Sequence, residues 1–500
     1  MPAIPIIIKQ FFNGIEEDIR KQSSTGFALT KHFDIFSNPQ RLTPYRSLEA
    51  DTETSVSSTD LKQYYVRDFL YASGSAKLYG LGQTGAGLTK IVQKADATTG
   101  LWTTPSSSEG NGAVKNGCFF EYKDYAWGFQ GTNQIFKWGL LSGTPSITDS
   151  VTTVASTITS VANGLIAADG NAYMAYNNVV VRIAPAGTVT DSAKTVPDNY
   201  KITSLTNYGS YMAIGCSPVS TYNGQSKVFI WNLSSDLFQE TIDWGEGELR
   251  ILENIEGMLI GVTDRYLNNS TGAGRGSMII QGYSGGAAQV LKEVFTQALT
   301  GKTIPLSKAV KNNRLFWSAK IMTNSAGTTY EEGIWSFGRK NSSYPFALTL
   351  DIIDENVSTG GIQAFGTAAN YFFIAHSSDG SVDKTNDSSV YAFTSVYESQ
   401  IFDLGDSTIT KKLDMFSVYT APFPSSGSVT VKYKIDDDSS FTTIGSLSTS
   451  GELSRDFYNI ESTGADFPTF KEIQFRIESV TGGAEITGFK FVASPLIGSN

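Results

Sequence analysis

A chain of 500 residues, 40% hydrophobic and 12% aromatic, exceeds what one compact core covers, so two or three domains are expected. Charged residues make up only 17%, glycines number 48 and the net charge is −10. That balance points to short strands and tight turns, and argues against both a nucleic-acid-binding surface and a polybasic lipid anchor. With only Cys118, Cys216, His32 and His376, a disulfide framework, a structural zinc site and histidine-based catalysis find little material.

Residues 1–60 mix both charge signs with Pro2, Pro5, Pro39 and Pro44. Ile4-Pro5-Ile6-Ile7-Ile8 is too short for a signal segment, and no run approaches the ~20 apolar residues of a membrane span. Asn13 and Gly14 are placed to cap one helical turn over Glu16 to Lys21. Phe11, Phe12, Phe27, Phe33 and Phe36 need burial, yet they lack the periodicity of a core of their own. Two readings follow: an arm lying on its own domain, or an arm docking on a neighbouring subunit. Under the second, Phe11, Phe12, Phe33 and Phe36 are the inter-subunit contacts, because an extended segment offsets its ordering entropy only where a partner supplies buried area. Loss of residues 1–46 is then expected to leave a folded chain that fails to assemble.

Residues 61–396 carry an internal repeat centred on Tyr79, Tyr125, Tyr173, Tyr211, Met258, Leu315 and Tyr371. The spacing matches four-stranded propeller blades. Four copies align without gaps, with Leu205, Leu252, Ala309 and Phe365 each six positions before its centre and Asn or Gly in most of the turns between. A third strand follows at Gln134–Trp138, Val179–Ile183, Lys227–Trp231, Ser277–Ile280, Gly333–Phe337 and Val390–Phe393. Seven blades are expected, or six if the first unit is not a blade. Val290, Leu291, Val294, Phe295 and Ala298 fit a short helix as well as an outer blade strand. Residues 397–500 alternate strictly at Val429, Val431, Tyr433 and Ile435 and at Ile473, Phe475 and Ile477, the pattern of a small β-sandwich. The fold class is thus all-β: a propeller of about seven blades, an extended N-terminal arm and a C-terminal β-sandwich.

Candidate chemistry is sparse. Ser377-Ser378-Asp379-Gly380 lacks the spacing and the Trp of a sialidase Asp-box, and none of the seven tryptophans precedes Asp. Asp379, Asp383 and Asp387 lack the alternating ligands of a calcium loop. Asp436-Asp437-Asp438 reads as a solvated turn, and Glu331-Glu332 opens a strand without a placed carboxylate partner. Gly272-Ala273-Gly274-Arg275-Gly276 has no following Lys and helix start, so it reads as a loop rather than a phosphate cradle. Trp102, Tyr122, Trp127, Trp231 and Trp335 fit blade packing, and stacking on sugars only if they are exposed. No catalytic residue, metal ligand or cofactor site is assigned.

The opening Phe11-Phe12-Asn13-Gly14-Ile15 with Asp18-Ile19-Arg20, then His32-Phe33-Asp34-Ile35-Phe36 and Leu42-Thr43-Pro44-Tyr45-Arg46, resembles the amino terminus of structural proteins of tailed-bacteriophage virions. Asn312-Asn313-Arg314-Leu315-Phe316-Trp317-Ser318-Ala319 is similar to their propeller hairpins. Phe402-Asp403-Leu404-Gly405, Lys411-Lys412, Val431-Lys432-Tyr433-Lys434-Ile435-Asp436 and Ile473-Gln474-Phe475-Arg476-Ile477 resemble their trailing sandwich. The resemblance implies a non-enzymatic virion tail component, a nozzle or tail-tip platform. Its partners would be copies of itself in a homo-oligomeric ring and other tail or adaptor proteins, with DNA passing unbound. The alternatives are a receptor-binding module for host surface glycan, to which the loop Thr221-Tyr222-Asn223-Gly224 offers one ring, and a propeller glycosidase or lyase.

Overall fold

Turn residues with positive φ fold the chain back wherever the repeat predicts a hairpin. Lys123 (52°) and Asp124 (65°), Glu256 (52°) and Gly257 (85°), and Asn312 (52°) and Asn313 (58°) each supply the two positive angles of a tight two-residue turn. The computed structural model describes residues 3–16, 20, 25–51, 65–95, 100–104, 112–143, 146–147, 152–219, 224–267, 275–296, 307–322, 330–353, 361–376, 381–385, 394–458, 467–480 and 483–496.

Seven antiparallel blades succeed one another among these residues. Their inner strands are Asp68–Ala72, Val114–Tyr122, Val161–Ile166, Tyr200–Tyr208, Glu248–Ile255, Lys308–Lys311 and Ile362–Ala368. Every predicted repeat centre falls in the second strand of its blade, from Tyr79 in Lys77–Gln83 to Tyr371 in Tyr371–His376. Blade 5 ends in a strand, Gln289–Thr296, and not in a helix. Most pairs of adjacent blades bury their own apolar cluster: Tyr79 and Trp138 lie between blades 1 and 2, Tyr173 and Trp231 between 3 and 4, and Trp102 and Phe373 between 7 and 1, while blades 5 and 6 share one cluster with the arm and the sandwich. No single blade covers both its faces, so stacking in a ring is what removes this surface from water.

The ring closes where Ile362–Ala368 packs against Asp68–Ala72. Blade 7 takes its third strand from Val382–Thr385, while the expected Val390–Phe393 lies outside the described residues. Its outermost strand is Leu48–Ala50, drawn from the N-terminal segment. Asp51, next in the chain, donates its N–H to Val382 O and accepts Lys94 Nζ of blade 1 at 2.5 and 2.7 Å. Trp102 Nε1–H donates to the same carboxylate at 2.7 Å. The closing strand is thus held to the first blade by a buried ion pair.

The remaining arm completes the sandwich. One sheet runs Ile4–Ile8, Ile486–Pro495, Lys411–Thr420, Ser454–Tyr458, with Thr469–Phe470 beside the third of these. The other runs Leu29–Lys31, Ser395–Glu398, Ile473–Val480, Ser428–Ile435, Thr442–Leu447. Ile473, Phe475 and Ile477 point into the core between them. Leu29–Lys31 also meets Ala347–Ile353, the outer strand of blade 6, through Leu350 and Lys31, so one short strand joins ring to sandwich. The described part of the 1–60 arm thus supplies strands to both other units. Gly14 and Ile15 pair with Gly26 and Phe27 as strands; of the expected helical turn, Glu16 and Arg20 are described and neither is helical.

His32, within this arm, is buried with φ 58°. Its carbonyl accepts Tyr45 N–H at 2.7 Å and Ser395 Oγ–H at 3.1 Å. Burial, with Lys31 adding to it, holds the imidazole pKa down at about 3. Unfolded chains take up this proton near pH 6.5 and the folded chain does not, so stability falls as pH drops from 6.5 towards 3. At pH 4.5 the loss amounts to ~3 kcal/mol, at ~1.4 kcal/mol per pH unit. His32→Asn, which tolerates the positive φ, is expected to lose this part of the acid sensitivity in urea unfolding at pH 7 and 4.5. Equal losses in parent and variant would contradict it.

Candidate functional site

The seven inner strands enclose a central cavity of about 610 Å³. Register shifts break five of the inner strands that line it, between Val114 and Phe119, Ala162 and Leu165, Ile202 and Ser204, Leu249 and Ile251, and Ile362 and Ala364. Such bulges re-aim side chains out of the strict alternation, and the second of them presents Asn163 to the cavity. Gly164 beside it has no room for a side chain, because a Cβ there would sit 2.0 Å from the Phe120 ring of blade 2.

On one side of the cavity the polar groups are mutually satisfied. Lys308 Nζ of blade 6 donates to Leu252 O at 2.6 Å and Ser204 Oγ at 3.1 Å, and pairs with Glu253 at 2.9 Å. Glu253 also accepts Thr206 Oγ1–H at 2.6 Å. Burial pushes the Glu253 carboxyl pKa up, but Lys308 and the Thr206 and Asn254 hydrogen bonds more than offset this and hold it below the ordinary range. Asn163 donates Nδ2–H to Leu205 O and accepts Leu205 N–H, both at 2.9 Å. Blades 3 to 6 are cross-linked through these groups.

Asp68 of blade 1 differs. It is 9% exposed, lines the cavity and accepts the Phe69 N–H at 2.9 Å. Burial pushes its pKa up to about 7, with hydrogen bonds from the Phe69 and Gly117 main chain acting against the rise. Among the described residues no Lys or Arg forms an ion pair with it.

The residues singled out from the sequence lie elsewhere. Phe11, Phe33 and Phe36 are buried in the chain's own core, with the Phe11 ring edge-on to Tyr397 at 5.4 Å; Phe12 is half-buried against Tyr344 at 5.5 Å. Within the single chain the sandwich and blade 6 already cover Phe11, Phe33 and Phe36, and cover Phe12 in part. Phe36 further stacks on the Arg314 guanidinium at 4.5 Å. Trp102, Tyr122, Trp127, Trp231 and Trp335 are all buried, which removes them as sugar platforms. Asp383 is buried and hydrogen-bonded to His376 at 3.1 Å, while Asp379 and Asp387 lie outside the described residues. So do residues 220–223 and 268–274, which take in most of the loop around Tyr222 and of the Gly-rich stretch. Asp436, in an exposed turn, accepts the Lys471 and Glu472 N–H groups at 2.9 Å. Glu332 is buried and accepts Ile362 N–H at 2.6 Å. Among the described residues no three His, Cys, Asp or Glu side chains gather as metal ligands, and no helix is long and apolar enough to cross a membrane.

The architecture defines a seven-bladed β-propeller carrying a β-sandwich. No protein-family model matches the chain, and no curated protein does. Solved structures similar to it include the propeller of Dos1 (12% identity, 68% of this chain and 94% of that one, TM-score 0.41). Others are a catalytically inactive virginiamycin B lyase from Staphylococcus aureus with quinupristin (10%, 68% and 99%, 0.42) and the Neurospora crassa Pan2 WD40 domain (9%, 69% and 95%, 0.40).

Proposed function

We propose that the chain is a non-enzymatic structural component of a tailed-bacteriophage virion, a ring-forming tail protein of the nozzle or tail-tip platform kind. The observation that carries the reading is the stitching of propeller and sandwich by one N-terminal segment. Strands from residues 4–8, 29–31 and 48–50 belong to both sandwich sheets and to blade 7. A part that bears load between rings gains from such a block, because rigid-body motion between its two halves would break strand pairing. The arm motifs that resemble virion proteins are the residues that make these contacts, Phe11, Phe33 and Phe36 among them.

The propeller cavity, at about 610 Å³ and lined by the Lys308–Glu253 pair, does not accommodate a DNA duplex. Any exit channel is then the lumen of a ring of several copies, with other tail or adaptor proteins above and below it. The net charge of −10 suits a wall past which DNA slides without sticking. A host-glycan adhesin is the weaker reading, since Trp102, Tyr122, Trp127, Trp231 and Trp335 are in the core.

Native mass spectrometry and negative-stain microscopy of the purified chain test ring formation. Closed rings of one stoichiometry are expected. A chain that stays monomeric at tens of micromolar, alone and with its co-purifying tail proteins, would overturn the ring-forming role.

A further inference from the structure

We infer that the central cavity is a binding site for a small organic ammonium ion, anchored on the Asp68 carboxylate. The inference is independent of the virion reading and rests on the Asp68 carboxylate, which lines the cavity with no cationic partner among the described residues.

Each side-chain nitrogen of the wall already donates to the protein at least once. Lys308 Nζ has three protein acceptors: Leu252 O, Ser204 Oγ and Glu253. Asn163 Nδ2 is on Leu205 O, Asn254 Nδ2 on Asn207 O at 3.0 Å, and Asn207 Nδ2 on Ile166 O at 2.9 Å. The acceptors are not all used. The Asp68 carboxylate has main-chain donors only. An ionised carboxylate accepts up to about four hydrogen bonds. A carboxylate in the wall with no cationic partner among the described residues favours a guest that brings N–H groups and positive charge. Mutual packing of Asn207, Asn254 and Asn163 keeps the rest of the wall fixed, so little ordering accompanies binding.

The charged surroundings of Asp68 are few. Val114–Tyr122, packed against its strand, carries Lys115, Cys118, Glu121 and Tyr122; Lys77–Gln83 carries Lys77 and Tyr79; Ile362–Ala368 carries none. The cavity also holds the paired Glu253 and Lys308 and the phenol Tyr71. Asp68 in turn helps to raise the Cys118 thiol pKa, after burial. A cation on Asp68 therefore meets one carboxylate that no Lys or Arg has neutralised. Since burial already holds its pKa near 7, binding is linked to pH and strengthens as the carboxyl ionises.

The test is calorimetric titration of the full chain with 1,4-diaminobutane in KCl, with the neutral isostere 1,4-butanediol as control. Saturable one-to-one binding is expected at pH 8, weaker by tenfold or more at pH 5.5, and butanediol is silent. Asp68→Asn removes a buried charge, stays folded with an unchanged or higher melting temperature at pH 8, and loses the binding. Carbon-13 titration of the Asp68 carboxyl supplies a second readout: saturating diamine lowers its apparent pKa by a unit or more. Absence of saturable binding to the folded parent at pH 8, equal affinity in Asp68→Asn, or a carboxyl titration indifferent to the diamine would each overturn the assignment.

Discussion

Deletion of residues 1–46 yields a chain that does not fold, rather than a folded chain that fails to assemble. The deletion strips the edge strand Ile4–Ile8, paired over five residues with Phe489–Ala493, and the strand Leu29–Lys31 that joins Ala347–Ile353 of blade 6 to Ser395–Glu398 of the sandwich. It also empties the core of Phe11, Phe27, Phe33 and Phe36, which pack among Tyr397, Leu348 and Phe489. Truncating one buried phenylalanine costs ~3–5 kcal/mol, so losing four exceeds or matches the ~5–15 kcal/mol that keeps a typical domain folded. Arg314 would lose Asp34, its partner at 3.4 Å, and the Phe36 ring stacked on it. Expression of residues 47–500 is expected to give insoluble protein or one without a cooperative melt. Hydrogen exchange on the full monomer supplies the milder version: the amides in Ile4–Ile8 and Leu29–Lys31 that pair with the sandwich are protected before any assembly. A soluble, cooperatively melting truncation would contradict the intramolecular brace and restore the inter-subunit arm.

Lys94→Met lowers stability by ~3–5 kcal/mol, the cost of leaving one member of a buried ion pair alone. Asp51 keeps its carboxylate buried against the Trp102 N–H with no Lys94 cation to compensate it. The weakness falls where blade 7 meets blade 1, at a closing strand of three residues, Leu48–Ala50. Amides of Leu48–Ala50 and of Trp102–Thr103 are therefore expected to exchange first in the variant. The double variant Asp51→Leu/Lys94→Met removes both charges and is expected to be more stable than Lys94→Met alone, since apolar replacement of a buried pair is often neutral. Urea unfolding of the three proteins reads this directly. A Lys94→Met variant within ~0.5 kcal/mol of the parent, the scatter of ordinary surface changes, would show that the pair does not hold the ring shut.

What the sequence made legible was local. Each hairpin announces itself through two turn residues and an alternating strand on either side, so Tyr79, Tyr173 and Leu315 mark second strands in the structure as in the pattern. Val429 and Val431 face the sandwich core for the same reason. The ambiguity at Val290 to Ala298 has a specific cause. Pairing slips between Ile280 with Lys292 and Gln281 with Val290, so Leu291 is an extra residue in the strand. A bulge breaks the period of two and imitates helical spacing.

Non-local features were not legible. The outer strand of blade 7 comes from Leu48–Ala50, far from Val382–Thr385 in sequence, and nothing in Leu-Glu-Ala signals that pairing. Val382–Thr385 carries buried Asp383 and Lys384, so its polarity hid it behind the more apolar Val390–Phe393. The phenylalanines of the arm show no period because only Phe27 and Phe33 lie in strands, each of two residues and in a different sheet, while Phe11, Phe12 and Phe36 lie outside strands. The cavity residues were missed for a related reason. Asp68, Glu253 and Lys308 sit on inner strands of three blades, and only ring closure brings them to one space. The aligned repeat offered a partial signal, since Glu253 and Lys308 directly flank the matched positions Leu252 and Ala309.

Immunogold electron microscopy of purified phage particles, with antibody against residues 397–500, tests the virion role most directly. The account predicts label at the tail or its vertex in particles that contain their other structural proteins. Complete particles without label, and with the chain found only outside them, would contradict it.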